Sequence, residues 1–508
     1  MDGNAQAKAM PGSTGRDAAA RHGVAVSLYL RGLAAVYLVA FVSLWMQLDG
    51  LLGERGILPA HELMERVRSV GMAGWVRLPT LFHLSATDAA LHAVCGAGAV
   101  IAALTVAAPF SAPPWFLLWA FYLSLVGVGG DFLRFQWDSL LLEAGFLAVF
   151  LAPPRILPSA RPISEPTRLV LWLQWWLIFR LLFASGVVKL TYEDPTWLDL
   201  SALSYHYETQ PLPPWTAWYV HALPGWFHRL SAIGMYATEL VVPFLFFGPR
   251  RLRRIACALS LLLQLAIAAT GNYGFFNALT AVLLIPLLDD ETWPRRLRSS
   301  PYVAPPAGSP PSWRRRWPWP AVAPLAAFLI VMGVWLLAAS TLRIELPRWM
   351  DPIARVHAAA APFCVVNEYG LFRTMTTERP EIIIEGTLDG AEWRPYEFRY
   401  KPGDVTRAPS FVAPHQPRLD WQMWFAALSP RSAAHWLEPF CLRLLEGSPS
   451  VLGLLGRDPF EGRPPLRVRA LLYDYEFTSR GPPSDGWWRR KLLRELIRPV
   501  GLESFRRR

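Results

Sequence analysis

"FQWDSLLLEAGFLAVFLAP", Phe135 to Pro153, decides how this chain is read. It is apolar almost throughout and long enough to cross a hydrocarbon layer, which takes about 20 residues of helix. Yet it carries two carboxylates, Asp138 and Glu143. Ionisable groups in such a stretch are costly and need partners. The next apolar stretch, "WLIFRLLFASGVVKL" (Trp176 to Leu190), supplies two cations, Arg180 and Lys189. The pair reads as neighbouring antiparallel helices of a polytopic membrane protein.

Composition extends that reading outward. Of 508 residues, 53% are hydrophobic and only 18% charged, with 24 Trp. The apolar residues gather into nine candidate spans, near 26–48, 87–108, 114–129, 135–152, 168–190, 230–248, 253–270, 274–288 and 319–341. The third and eighth are short. The net charge of +11 could belong to a nucleic-acid binder, but the arginines cluster in short loops between spans. That pattern sets topology: the lipid bilayer is the expected partner and nucleic acid is not.

With the N-terminus in the cytoplasm, Arg155 and Arg161, then Arg250, Arg251, Arg253 and Arg254, then Arg295, Arg296, Arg298, Arg314, Arg315 and Arg316 all fall on the cytoplasmic side. This satisfies the positive-inside rule. Glu193, Asp194, Asp199 and Glu208 fall on the other side. The first outer loop, with Arg55, Arg66, Arg68 and Arg77, runs against the rule.

The expected organisation is a disordered tail (1–23), a multi-pass helical domain (24–290), a Pro/Arg-rich cytoplasmic linker (291–318) and a last transmembrane helix (319–341). A β-rich domain (342–480) and a basic tail (481–508) follow on the non-cytoplasmic side. "PEIIIEGTLDGAEWRPYEFRYKPGD" carries a β-branched run, an "LDG" turn and alternating Tyr396, Phe398 and Tyr400, which is a hairpin signal. "RVRALLYDYEFTS" reads as another strand. Cys95 and Cys257 lie inside spans as core thiols, and a Cys364–Cys441 disulfide is an open alternative.

Asp138 and Glu143 are five residues apart, so they lie about 140° apart around a helix and about 7.5 Å apart along it. Each needs its own partner. Judged by depth, Asp138 pairs with Lys189 near the outer ends and Glu143 pairs with Arg180 deeper in. Such pairs fix helix register, or they mark function. A lysine at a span's end can also snorkel. Glu239 in "ATELVVPFLFFG" and the "TGNYGFFN" turn, with Asn272 and Asn277, add polar groups, read either as an outward vestibule or as caps at helix breaks.

The loop "YHYETQPLPPW" brings Tyr205, His206, Tyr207, Glu208, Thr209 and Gln210 together, followed by stiffening prolines. It reads either as a fixed site for a client polypeptide or small ligand, or as a loop packed on the C-terminal domain. "APHQPRLDWQMWF" is a second candidate surface, with His415, a local Arg418–Asp420 pair, and Trp421, Trp424 and Phe425 facing the membrane interface or a partner. Its plainer reading is a domain core docked on the bundle. His206, His221 and His228 share a loop but match no standard ligand spacing, so no metal is expected. No G-x-S-x-G, P-loop or H-E-x-x-H motif occurs, and no cofactor is implied.

Long stretches resemble the lipase maturation factor family. In the membrane part these are "FQWDSLLLEAGFL", "WLDLSALSYHYETQPLPPW", "WFHRLS", "ELVVPFLFFGPRR" and "TGNYGFFNALT". In the C-terminal part they are "NEYGLFRTMTTERPEIIIEG", "PYEFRYKPGD" and "VAPHQPRLDWQMWFAAL". The resemblance implies a maturation factor rather than a lipase; in animals such a factor resides in the endoplasmic reticulum membrane and helps secreted dimeric lipases fold and assemble. Whether it is also an enzyme stays open. The Arg/Ala/Pro-rich composition and the lack of N-x-S/T sequons look bacterial, which would place the chain in the inner membrane with an exported client. More distantly, "FASGVVKL" followed by "YHYETQ" is similar to vitamin K-dependent γ-glutamyl carboxylases. That resemblance implies an enzyme with Lys189 as catalytic base.

Overall fold

The computed structural model describes residues 22–156, 167–297, 317–478 and 486–506. The expected N-terminal tail before His22, and residues 298–316 of the expected linker with Arg298, Arg314, Arg315 and Arg316, lie outside the described residues, as does Arg161.

All nine apolar runs are helical. They form α1 (Gly23–Trp45), α2 (Asp88–Ala107), α3 (Ala112–Val128), α4 (Gln136–Leu151), α5 (Arg168–Thr191), α6 (Gly225–Tyr236), α7 (Arg250–Thr270), α8 (Phe276–Leu284) and α9 (Trp319–Leu336). Local chemistry sets several ends. The Thr87 hydroxyl accepts from Ala90 N–H at the start of α2, a standard N-cap. Pro113 and Pro114 sit in the first turn of α3, where no N–H is needed. Pro243 cannot donate to the carbonyl one turn back, and beside it α6 continues as a π turn (Ala237–Val241) and a 3₁₀ segment (Val242–Phe247).

Six helical segments are long and apolar enough to cross a membrane: α1, α2, α5, α6 with its continuation, α7, and α9 with its terminal π turn. α3 and α8 with its 3₁₀ end are apolar but shorter, and α4, at 16 residues, is also below that length. Their places in the bundle differ sharply. The central stretch of α5 is 83% buried, whereas that of α7 is 22% buried. α5 is therefore the axial helix, and α7 turns Ile255, Leu262 and Leu265 outward, each more than half exposed. An aliphatic face of this kind belongs against lipid.

Successive helices alternate in direction. Asp290 accepts from the first N–H groups of α1, and Trp317 before α9 donates to Val149 and Ala152 at the end of α4. These contacts define one end of the bundle. At the other end, Arg55 and Gly56 carbonyls accept from Ser448 and Arg443, so the loop after α1 meets the C-terminal domain.

That domain is mixed α/β, with the small β-sheet that the strand signals imply and helices beside it. A four-stranded antiparallel sheet has the order β2 (Arg394–Pro395), β1 (Pro380–Thr387), β5 (Arg467–Phe477), β6 (Trp488–Val500). β3 (Glu397–Phe398) pairs with β4 (Leu455–Arg457). Two helices, α10 (Arg418–Leu428) and α11 (Pro430–Leu445), pack beside them. The "LDG" turn does join paired strands, with Glu385 opposite Pro395. The stretch read as a basic tail after 480 instead contributes β6, an edge strand on β5. Its Arg and Lys residues are the charges that protect an exposed edge, which is why composition alone resembles a tail. All four cysteines are free thiols, with Cys95, Cys257 and Cys441 buried.

Candidate functional site

The in-span charges meet partners at three places, and only one lies wholly within the bundle. Glu143 on α4 pairs with Arg180 on α5, both buried. The expected partners meet, but the C-terminal domain, which caps the bundle, joins them. Tyr369 donates its hydroxyl to Glu143 Oε2 at 2.8 Å, Asn367 N–H donates to the same oxygen at 2.9 Å, and Arg180 donates to Asn367 O at 3.1 Å.

Asp138 does not meet Lys189. Its partner is Arg418, at the start of α10, through two bonds of 2.6 and 2.8 Å, with both side chains fully buried. Tyr122 on α3 donates to the same carboxylate at 2.6 Å. Arg418 also donates to Phe132 O, and its backbone N–H donates to Gln47 Oε1. The expected local Arg418–Asp420 pair does not form either. Residues two apart lie on opposite sides of a helix, and Asp420 instead accepts from Tyr400 and Lys401 N–H. Burial raises the Asp420 carboxyl above its ordinary range.

Lys189 pairs with Glu239 at 2.7 Å and donates to Ser185 O at 2.8 Å. The reason is azimuth. Arg180 faces α4, and Lys189, nine residues on, points about 180° away from it. Glu239 reaches it from the π turn. Gly186 allows that approach: a Cβ there would stand 2.9 Å from Glu239 Cβ and 2.8 Å from Leu240. The Lys189 nitrogen thus donates to two acceptors, Glu239 and Ser185 O.

The "YHYETQ" segment is short helix (Ala202–Thr209) held largely by its backbone. Arg379 donates to the carbonyls of Glu208 (2.6 Å), Gln210 and Pro211 (2.9 Å). Arg379 is itself paired with Glu381, which also meets Lys401 at 3.0 Å, all three fully buried. Glu208 accepts from Phe477 N–H on β5 and lies 3.4 Å from His221. Burial pushes its carboxyl up to about 7. Trp424 on α10 donates to Thr209 O. Gln210 donates to Thr270 O and accepts from the Tyr273 hydroxyl. Tyr205 is the exposed member of the segment.

His206 turns the other way, to the Tyr273 hydroxyl at 3.1 Å. Burial, with the nearby Lys189 charge, lowers it to about 4, so it is neutral at physiological pH. Asn272 ties the outer turn to the cap, donating to Leu212 and Ser410 carbonyls and accepting from Val412 and Ala413 N–H. Asn277 donates to Gln264 on α7. His415 meets the Ser43 hydroxyl on α1 at 2.9 Å, and Trp421 packs edge-on to Trp137. Of the residues read as client-binding surface, Arg418, Asp420, Trp421, Gln210 and Asn272 are therefore buried in the seam between bundle and cap.

A cavity of about 660 Å³ lies beyond this seam. Its walls are α5, α6, α7, α8 and the segment carrying His206 and Tyr207, with Phe372 from the cap side. Its polar lining includes Lys189, Glu239, His206 and Tyr273, with Gln264, Ser231 and several threonines around them. Reading the sequence missed Tyr122, Tyr369, Arg379, Glu381, Lys401 and Tyr273. A charge count points to one gap. The fourth to sixth spans hold three inner acids (Asp138, Glu143, Glu239) against two inner cations (Arg180, Lys189), so a further cation has to come from elsewhere.

Six helices fit to cross a bilayer, clamped by buried charges to a mixed α/β cap, define a membrane-embedded protein whose two parts form one fixed body. The comparisons give the family. The lipase maturation factor transmembrane domain matches residues 24–295, and the lipase maturation factor C-terminal domain matches residues 365–498. Lipase maturation factor 2 of Gallus gallus is 38% identical across 94% of this chain and 81% of its own length. The Homo sapiens protein of that name is 37% identical across 94% and 82%. Lipase maturation factor 1 of Mus musculus is 34% identical across 94% and 87%. No solved structure matches. The chain belongs to the lipase maturation factor family and is a membrane maturation factor.

Proposed function

We propose that the chain assists the folding or assembly of an exported lipase on the non-cytoplasmic face of its membrane. The observation that carries this reading is the match to lipase maturation factors over nearly the whole chain, bundle and cap together. The cap is the part that meets the client, held at a fixed angle by the Arg418–Asp138 and Arg379 clasps.

In this reading all nine helices cross the membrane, with α3, α4 and α8 shortened where the cap descends on them. What supports the orientation is charge: Arg250, Arg251, Arg253, Arg254 and Arg296 all lie at the end away from the cap, in 3₁₀ or helical turns beside Asp289 and Glu291. In this orientation the cap faces the endoplasmic reticulum lumen of a eukaryote or the periplasm of a bacterium. The carboxylase-like reading has less support, because Lys189 is committed to Glu239.

The test is to express an exported lipase with and without the full chain and measure secreted lipase activity per unit of lipase protein. The ratio rises with the chain. An unchanged ratio, with the chain present in membranes, overturns the proposal. Reporter fusions after Leu212 and after Leu342 should both report the non-cytoplasmic side; a cytoplasmic signal at either overturns the orientation.

A further inference from the structure

The cavity between α6 and α7 has no part in clasping the cap, and its chemistry is specific. α6 and α7 adjoin near the 3₁₀ segment at Val242–Phe247 and spread apart toward the cap. The walls of the resulting fissure are mostly apolar, with Leu181, Leu182, Met235, Leu259, Leu263 and Ile267, and carry the neutral polar groups of Ser231, Thr238 and Gln264. Two wall residues, Leu259 and Leu262, are also 40% and 63% exposed. The cavity therefore opens sideways, through the aliphatic face that lies against lipid. Gly234 lines this opening, and a Cβ there would meet nothing within 4 Å.

At the inner end stands the Lys189–Glu239 pair. Glu239 is 6% exposed. Its Oε2 takes the lysine, and its Oε1 accepts no hydrogen bond among the described residues. A π turn carries it, and such turns recur at functional sites. Glu239 lines the cavity, where an unpaired acceptor can take a donor. The lysine and carboxylate charges cancel, and His206 is neutral, so the polar end has no net charge. An anionic head would face the free carboxylate oxygen and be repelled. A neutral head with a hydroxyl donor would satisfy it.

Size narrows the class further. Ligand pockets run from about 300 to 1,000 Å³, and 660 Å³ falls within that range. A transmembrane helix about 10 Å across would fill the space in roughly one and a half turns, so a polypeptide span does not fit. We propose that this fissure is a lipid site. Its ligand is a neutral, hydroxyl-bearing amphiphile of the monoacylglycerol or long-chain alcohol type, which enters laterally from the bilayer and donates to Glu239. The site does not depend on the maturation reading, and it can be tested without a client.

The test uses the purified full chain in lipid nanodiscs and a diazirine-bearing monooleoylglycerol. Photolabelling should saturate at one probe per chain and map to peptides within 225–247 and 250–270. Unlabelled monooleoylglycerol should compete, and oleate should not. Competition by oleyl alcohol as well would show that a single hydroxyl suffices, whereas competition by monooleoylglycerol alone would show that the glycerol head is read. Gly234→Trp fills open space and should cut labelling about tenfold, and Leu262→Trp, from the opposite wall, should do the same. Equal competition by oleate overturns the proposal. So does labelling spread over the outer face of α9, or labelling unchanged in both Trp variants.

Discussion

The seam and the fissure treat buried charge in opposite ways. At the seam, Asp138 receives two bonds from Arg418 and one from Tyr122, and Glu143 receives Arg180, Tyr369 and Asn367. In the fissure, Glu239 receives Lys189 on one oxygen only. A fully satisfied buried carboxylate holds position. One with a spare acceptor beside a cavity is available to bind. Charges of the same type, a few turns apart in one bundle, thus divide into those that fix shape and one that can take a ligand.

The largest expected effect tests the seam. Arg418→Met leaves Asp138 buried and unpaired, at a cost of about 3–5 kcal/mol. The amount of folded protein, read by size-exclusion of a fluorescent fusion and by melting temperature, should fall steeply. Adding Asp138→Asn should recover a large share. Losses that simply add would mean that the clasp is not a coupled pair.

Glu208 gives an intermediate effect. Its carboxyl stands at about 7 in the folded protein against an ordinary 4.5, so between these values the folded state holds a proton that the unfolded state has released. Its contribution to stability is therefore complete below about pH 4.5 and is lost as pH rises through about 7, with a slope of at most about 1.4 kcal/mol per pH unit. Glu208→Gln removes that contribution. The difference in melting temperature between wild type and variant, followed from pH 5 to 8, cancels the opposing histidine terms. A difference that stays flat with pH would mean that the carboxyl is not buried as described.

Lys189→Arg should do least. The guanidinium keeps the charge facing Glu239, so membrane levels and lipase maturation should change by less than about twofold. A variant inserted at normal levels yet inactive would restore a proton-transfer role and erase the contrast drawn above.

Much of the bundle is legible in the sequence, because run length and hydropathy act locally. Depth alone also brings Glu143 to Arg180. It fails for Asp138 and Lys189 because depth ignores azimuth: nine residues of helix turn Lys189 away from the face that Arg180 presents to α4. Arg418 is harder to see. It lies far along the chain in a run that looks self-paired, and only the surplus of inner acids signals that a cation must arrive from outside the spans. The opening between α6 and α7 is not written in any one segment. It depends on a π turn, a glycine and the spread of two helices, all of which follow from tertiary packing.

The clasp between Asp138 and Arg418 joins residues 280 positions apart, and that separation is also an interval of time. At about 5–20 residues per second, a ribosome takes roughly a quarter of a minute to a minute to travel it. Through that interval the acid of α4 is already made and its cation is not, so Tyr122 is the one side chain of its final set already synthesised beside it. The bundle cannot reach its finished form while the chain is still short of the cap. A nascent chain stopped before residue 418 would carry an unneutralised acid in its membrane part, a mark by which quality-control machinery could tell an unfinished copy from a complete one.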